Sequence, residues 1–90
     1  MTVITIECYD IQSDAEFHDV LASKLRFPSW YGRNLDALYD CLTDLHVPVT
    51  INLLHVQTLI DRLGNFGRAA INCMEQAERE NGEKLTLNLM

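Results

Sequence analysis

Three aspartates, Asp36, Asp40 and Asp44, recur at intervals of four residues, and acidic side chains at this spacing could serve binding or catalysis. Helical spacing would place the three carboxylates in one row along a helix. Such a row could contact a cation, bind a basic protein, or act in acid–base catalysis if a pocket pushed the pKa values apart. Three carboxylates on one exposed ridge would all ionise, which favours binding over acid–base catalysis.

The other reactive residue types add little to a catalytic interpretation. No two of the histidines, His18, His46 and His55, are three or four residues apart, so the sequence predicts no cofactor and at most a weak Mg²⁺ or Ca²⁺ contact. Cys41 is the best candidate for a cysteine nucleophile assisted by a histidine. Helical spacing places it nearer the leucines than the aspartates, which predicts a packed thiol. The chain is therefore predicted not to be an enzyme and to have no catalytic residue, with a small Cys-dependent enzyme as an alternative.

The helix that must position the aspartates has an apolar side opposite them. At about 100° per residue, four leucines form one stripe: Leu35, Leu38, Leu42 and Leu45. Neither Lys nor Arg occurs between Arg33 and Arg62, and like charges four residues apart weaken an isolated helix by roughly 0.2–0.5 kcal/mol per pair. This pattern indicates a surface for a basic partner, and the alternative is a merely solvated face.

Structural roles account for only the start of this helix. Asn34 is a suitable N-cap, and Asp36 lies where a carboxylate interacts favourably with the helix dipole. Asp40 and Asp44 gain nothing from the dipole. Before the helix, Trp30 and Tyr31 either cap the core or face a partner, as aromatic residues often do at interfaces. Gly32 predicts an unusual backbone angle or a close approach.

The run Tyr31-Gly32-x-Asn34-Leu35-Asp36-Ala37-Leu38-x-Asp40-Cys41-Leu42-Thr43 resembles the signature of the barstar family of ribonuclease inhibitors. The resemblance implies that the loop and the acidic helix block the active site of a basic, extracellular-type ribonuclease similar to barnase. The partner-binding residues that it implies are Trp30, Tyr31, Asn34, Asp36, Tyr39, Asp40, Thr43, Asp44 and Glu80.

The resemblance also implies individual roles. Asp40 would enter the phosphate pocket, Asp36 would pair with an arginine at its rim, and Trp30 would pack on the catalytic histidine. Four positions depart from the family pattern: Arg33 replaces an acidic residue, Asp44 a glycine, Leu45 a tryptophan and Gln76 a glutamate. These departures leave the identity of the ribonuclease open. A second hypothesis is an acidic binding or regulatory module for another basic protein.

Composition limits the possible partners. The 90 residues, 48% of them hydrophobic, predict a single domain over residues 1–90. Thirteen acidic and seven basic residues give a net charge of −6, which argues against direct nucleic-acid or anionic-membrane binding. An odd number of cysteines (Cys8, Cys41 and Cys73) and a start without a signal-like segment predict a reduced, cytoplasmic protein. Nothing in the sequence demands more than a monomer.

The remaining elements predict an α/β fold. Strands are expected at residues 2–7 (short and buried), 49–54 and 85–89, with helices after the Ser13 cap and over 35–45, 55–63 and 66–80. Gly64 and Gly67 are expected to separate the last two helices, and His18 is assigned polar neighbours and no special role. The prediction is a two-layer, three-stranded parallel sheet in the order 1-2-3, with helices packed mainly on one face.

Overall fold

The computed structural model describes residues 2–90 and contains the predicted strands and helices. In chain order these are strand β1 (Thr2–Glu7), a short 3₁₀ helix (Cys8–Asp10), helices α1 (Asp14–Leu25) and α2 (Leu35–Thr43), strand β2 (Val49–Leu54), helices α3 (Val56–Leu63) and α4 (Asn65–Glu80), and strand β3 (Leu85–Leu89). The strands form one parallel sheet in the order β1-β2-β3, which confirms the predicted α/β topology.

The register of the sheet separates an apolar face from a polar one. Ile4 pairs with Ile51, which in turn pairs with Leu87, so these side chains share a face. On the other face Asn52 donates to the hydroxyl of Thr5 (3.4 Å) and accepts from the side chain of Asn88 (2.8 Å). Every second residue of β2 is buried, so the core lies on one side of the sheet.

The prediction that β1 is a buried strand was wrong. Only Ile6 is buried, and Val3 is 58% exposed. The β-branched composition of β1 predicted a strand correctly, but it did not distinguish an edge strand from a central one. Because β1 has a neighbour on one side only and the sheet has an uncovered face, most of its side chains reach solvent.

Helix α2 is seated by its leucine stripe, as its sequence predicted. Leu38 and Leu42 are fully buried, whereas Leu35 and Leu45 are partly buried at the two ends. The helix packs against α4, which contributes Ala70, Met74 and Ala77 to the core. This contact fixes which side of α2 faces solvent.

The junction between α3 and α4 differs from the prediction. Gly64, at a φ of 60°, ends α3, but Gly67 lies inside α4 and does not separate the helices. A Cβ at Gly67 would lie 2.9 Å from the carbonyl oxygen of Leu59 and 3.0 Å from the Cα of Ile60. Gly67 therefore permits the two helices to cross closely. No helix formed by residues 2–90 has both the length and the apolar character required to cross a membrane.

Candidate partner-binding site

The aspartate row lies on the solvent side of α2. Asp36, Asp40 and Asp44 are all exposed, and four residues of helix separate successive members by about 6 Å along the axis. The helix begins as predicted, because the side-chain oxygen of Asn34 accepts a hydrogen bond of 2.8 Å from the backbone N–H of Ala37. Asp44 is the C-terminal cap, so the row extends over the whole helix.

The charge of this row is not neutralised within the fold. Among residues 2–90, no Lys, Arg or His nitrogen lies within 4.0 Å of a carboxylate oxygen of Asp36 or Asp40. Asp44 has one such neighbour, the exposed His46, whose Nε2 lies 3.9 Å from Oδ1. Arg33 precedes the helix, but its guanidinium pairs with Asp19 on α1. The row therefore presents a negative potential to solvent.

This potential also affects the two cysteines near α2. Burial raises the pKa of the Cys41 thiol, and the charges of Asp40 and Asp44 raise it further. Burial followed by the charge of Asp36 raises the pKa of Cys73 in the same way. Both effects disfavour the thiolate, which is the nucleophilic form of cysteine. The described residues, 2–90, contain no group of three or more His, Cys, Asp or Glu side chains able to hold a metal ion.

The segment between α1 and α2, residues 27–34, forms the aromatic loop, and its two central aromatic residues have opposite environments. Trp30 is 79% exposed, which makes it available to a partner. Tyr31 is only 7% exposed, and its hydroxyl makes a hydrogen bond of 2.7 Å with Nδ1 of His18. Tyr31 therefore caps the core, which is one of the two alternatives raised by the sequence, whereas Trp30 is exposed and its contact with a partner stays a prediction.

A groove of about 410 Å³ runs between α2 and α4 beside the aspartate row. Asp36, Tyr39 and Asp40 line one side, and Gln76 lies on the α4 side. The structure thus brings three of the predicted site residues together with one of the positions that departs from the family pattern. Glu80 lies exposed at the end of α4, one turn beyond Gln76, and does not line the groove.

A second hollow, of about 350 Å³, lies on the other flank of α2. Trp30, Cys41 and Asp44 line it together with residues at the end of α1. The predicted residue Thr43 has a largely internal role, because its hydroxyl donates to the carbonyl oxygen of Tyr39 at 2.8 Å. The exposed surface is therefore centred on Asp40 and flanked by two concave regions.

Sequence reasoning missed His18. It is 4% exposed and packs among the rings of Phe17, Tyr31 and Phe66, so the assignment of polar neighbours was wrong. Helical spacing contained the signal, because His18 is three residues before the buried Leu21 and next to the buried Phe17. Burial lowers the pKa of His18, and the charge of Arg33 lowers it further.

The backbone of the aromatic loop also differs in detail from expectation. Gly32 serves a close approach, since a Cβ there would lie 3.3 Å from the side-chain nitrogen of Asn34. The left-handed backbone angle belongs to Arg33, at a φ of 54°. Arg33 also donates to the carbonyl oxygen of Ala15 at 3.3 Å, so it ties the loop to α1.

The fold and this surface define a small α/β protein with an acidic helix exposed to solvent. Residues 1–89 match the family model described as "Barstar (barnase inhibitor)". The chain belongs to the barstar family, as the signature around α2 predicted. A Bacillus subtilis (strain 168) protein named "Putative ribonuclease inhibitor YrdF" is 37% identical over 81 residues, with 89% of this chain and 89% of that protein covered.

Proposed function

We propose that this protein inhibits a basic, barnase-type ribonuclease by placing α2 and the aromatic loop over its active site. The observation that carries the proposal is the exposed row of Asp36, Asp40 and Asp44, which has no Lys or Arg ion-pair partner among residues 2–90. Asp44, at the end of this row, lines the same hollow as the exposed Trp30. A ribonuclease that binds RNA phosphates needs a cationic cleft, and a carboxylate row has the complementary charge.

In this proposal Asp40 occupies the position of an RNA phosphate. Charge-assisted hydrogen bonds between arginine and a carboxylate are strong, and exclusion of water at the centre of an interface strengthens them further. Asp36 lies one turn away and pairs with a second arginine at the rim. Trp30 packs on the catalytic histidine, so RNA and water are both excluded from the reacting groups.

The other proposed contacts surround this centre. Tyr39 lies beside Asp40 in the groove, while Asn34, Thr43 and Asp44 follow the length of α2. Glu80 on α4 contributes a further exposed carboxylate. The burial of Tyr31 supports an indirect contribution, through the position of the loop.

The same surface supports the rest of the proposal. A net charge of −6 attracts a basic protein and repels nucleic acid and anionic membranes, so the partner is the ribonuclease and not its RNA. We further propose that the protein acts as a monomer without enzymatic activity or cofactor, in a cytoplasmic compartment. The three cysteines have free thiols, the form that a reducing compartment maintains.

RNA cleavage by a barnase-type ribonuclease, measured with and without this protein, tests the proposal. Inhibition at one equivalent, weakened by salt and by Asp40→Ala, is the expected result. Asp61→Ala on α3 is the matched control, because it removes the same charge outside α2 and the aromatic loop. Binding without inhibition would instead favour an acidic module for another function, and binding to no basic ribonuclease would refute the proposal.

A further inference from the structure

The aromatic loop is fastened to α1 at two points by neighbouring residues of that helix. His18 forms the 2.7 Å hydrogen bond with the hydroxyl of Tyr31. The next residue, Asp19, accepts a hydrogen bond from Nη1 of Arg33, and Nη2 of the same guanidinium donates to the carbonyl oxygen of Ala15. Two consecutive residues of one helix thus contact two residues of the loop.

The first fastening is buried. The His18 and Tyr31 side chains are nearly inaccessible, and the rings of Phe17 and Phe66 lie edge-on to the imidazole with centroids 5.7 Å away. The Phe27 ring packs on Tyr31 with centroids 4.8 Å apart. Because water has little access to this cluster, movement of Tyr31 would leave buried polar groups without partners.

The second fastening is on the surface and holds an unfavourable backbone conformation. Arg33 has left-handed backbone angles, which are sterically disfavoured for a residue with a Cβ. Its guanidinium contacts to α1 keep the chain in this conformation at the point where it turns into α2. The conformation is thus maintained by contacts that a single substitution can remove.

We propose that His18 and Asp19 are positioning residues, which hold Tyr31 and Arg33 and thereby fix the orientation in which Trp30 is presented to the ribonuclease. The proposal rests on the function proposed above, but its structural part concerns the free protein. Trp30 is adjacent to Tyr31 and three residues before Arg33, so both fastenings restrict its backbone. A preorganised loop binds more tightly because less ordering is required on association.

The buried fastening also makes the orientation of Trp30 dependent on pH. The groups facing His18 are Asp14 and Asp19 from α1, Tyr31 and Arg33 from the loop, and the uncharged Phe66 from α4. Protonation places a positive charge on the imidazole inside a ring cluster and near the Arg33 guanidinium. Burial and Arg33 lower the pKa of His18 below its ordinary value of 6.5 and together outweigh the two aspartates, so the loop loosens in acid.

Fluorescence anisotropy tests this proposal directly, because Trp30 is the single tryptophan of the chain. Asp19→Asn removes the charge that pairs with Arg33 in the surface fastening, and His18→Gln removes the titratable group of the buried fastening. Each is expected to lower the anisotropy of Trp30 while the far-ultraviolet circular dichroism stays unchanged. Asp61→Asn, with the same charge change on α3, should leave the anisotropy as in the parent protein. If the competent orientation falls to about a tenth of the population, the apparent Kd for the ribonuclease rises about tenfold.

The acid transition provides a second readout. As the pH is lowered from about 7.5 to below 6.5, the anisotropy of the parent protein and of His55→Gln should fall, whereas His18→Gln should show no such transition. Unchanged Trp30 anisotropy in folded Asp19→Asn, or an acid transition retained in His18→Gln, would overturn the proposal. If His18→Gln does not fold, Asp19→Asn decides alone. Loosening of the loop without ribonuclease binding by the parent protein would leave this inference intact and refute the proposed function.

Discussion

Asp40→Ala should raise the stability of the free protein and lower its affinity for the proposed ribonuclease partner. Asp40 is exposed, and no cation of the described residues pairs with it, so its removal breaks no internal ion pair. Alanine gains about 0.6 kcal/mol of helix propensity over aspartate. The substitution also relieves repulsion with Asp36 and Asp44, at roughly 0.2–0.5 kcal/mol for each pair. We expect the free protein to become about 1–1.6 kcal/mol more stable.

The proposed complex should respond in the other direction. Removing one partner of a buried, hydrogen-bonded charge pair costs about 2–5 kcal/mol, much of it from the charge left unpaired on the other protein. This loss corresponds to a rise in Kd of about 30-fold to several thousand-fold. The effect should appear mainly in the dissociation rate, because a change of one charge in a net −6 alters electrostatic steering only modestly.

Thermal unfolding and binding kinetics measure the two effects on the same samples. A gain of 1 kcal/mol should raise the Tm by about 4–8 °C for a domain of this size. Asp61→Ala should leave the dissociation rate near that of the parent protein. A lower Tm for Asp40→Ala would show that the carboxylate has a structural role, and an unchanged Kd would refute its place at the centre of the interface.

Four further predictions concern the loop, the helix crossing and the two residues of the buried pair, His18 and Tyr31. Trp30→Ala should keep the free energy of unfolding within about 0.5 kcal/mol of that of the parent protein, because the side chain is exposed, and denaturant unfolding measures this change. The same substitution should weaken ribonuclease binding at least tenfold, which a titration measures. Gly67→Ala should destabilise the fold by about 1–3 kcal/mol in urea unfolding, because its Cβ would press on the Leu59 carbonyl. Burial raises the pKa of Tyr31 from 10.0 to about 12, so unfolding experiments should show stability falling as pH rises between these values, and Tyr31→Phe should remove that loss. The pKa of His18 is shifted in the opposite direction, downward. Neutral His18 therefore makes its full contribution to the free energy of unfolding above pH 6.5, and this contribution declines as the pH falls below that value. His18→Gln should abolish the decline.

The sequence predicted the features that depend on local periodicity. The leucine stripe of α2 determines which side packs on α4, so the exposure of Asp36, Asp40 and Asp44 could be predicted without coordinates. The alternation in β3 and the helical segments between strands likewise determined a parallel sheet.

Contacts between distant segments were beyond this reasoning. Trp30 and Tyr31 are adjacent aromatic residues in a loop, and Tyr31 is the buried one, in contact with His18 on α1 and with Phe27. Gly67 was predicted to help separate two helices, because the sequence shows only a glycine close to Gly64. Its actual role is to leave room for the backbone of α3, and this contact forms only when the two helices cross. The exposure of β1 depends on which strand lies at the sheet edge and on the face that the helices leave open, neither of which local composition determines.

Two positions that depart from the family pattern, Arg33 and Asp44, have roles that the folded structure explains. A basic Arg33 next to an acidic helix would weaken the site if its charge reached the carboxylates. Its guanidinium is instead directed to Asp19 and the Ala15 carbonyl on α1, so it fastens the loop without neutralising the row. Asp44, which stands in place of a glycine, extends the row to the end of α2, where His46 is the one basic residue among residues 2–90 with a nitrogen within 4.0 Å of its carboxylate. The two departures therefore preserve the negative surface, and a ribonuclease suited to this chain should present basic groups along the full length of α2.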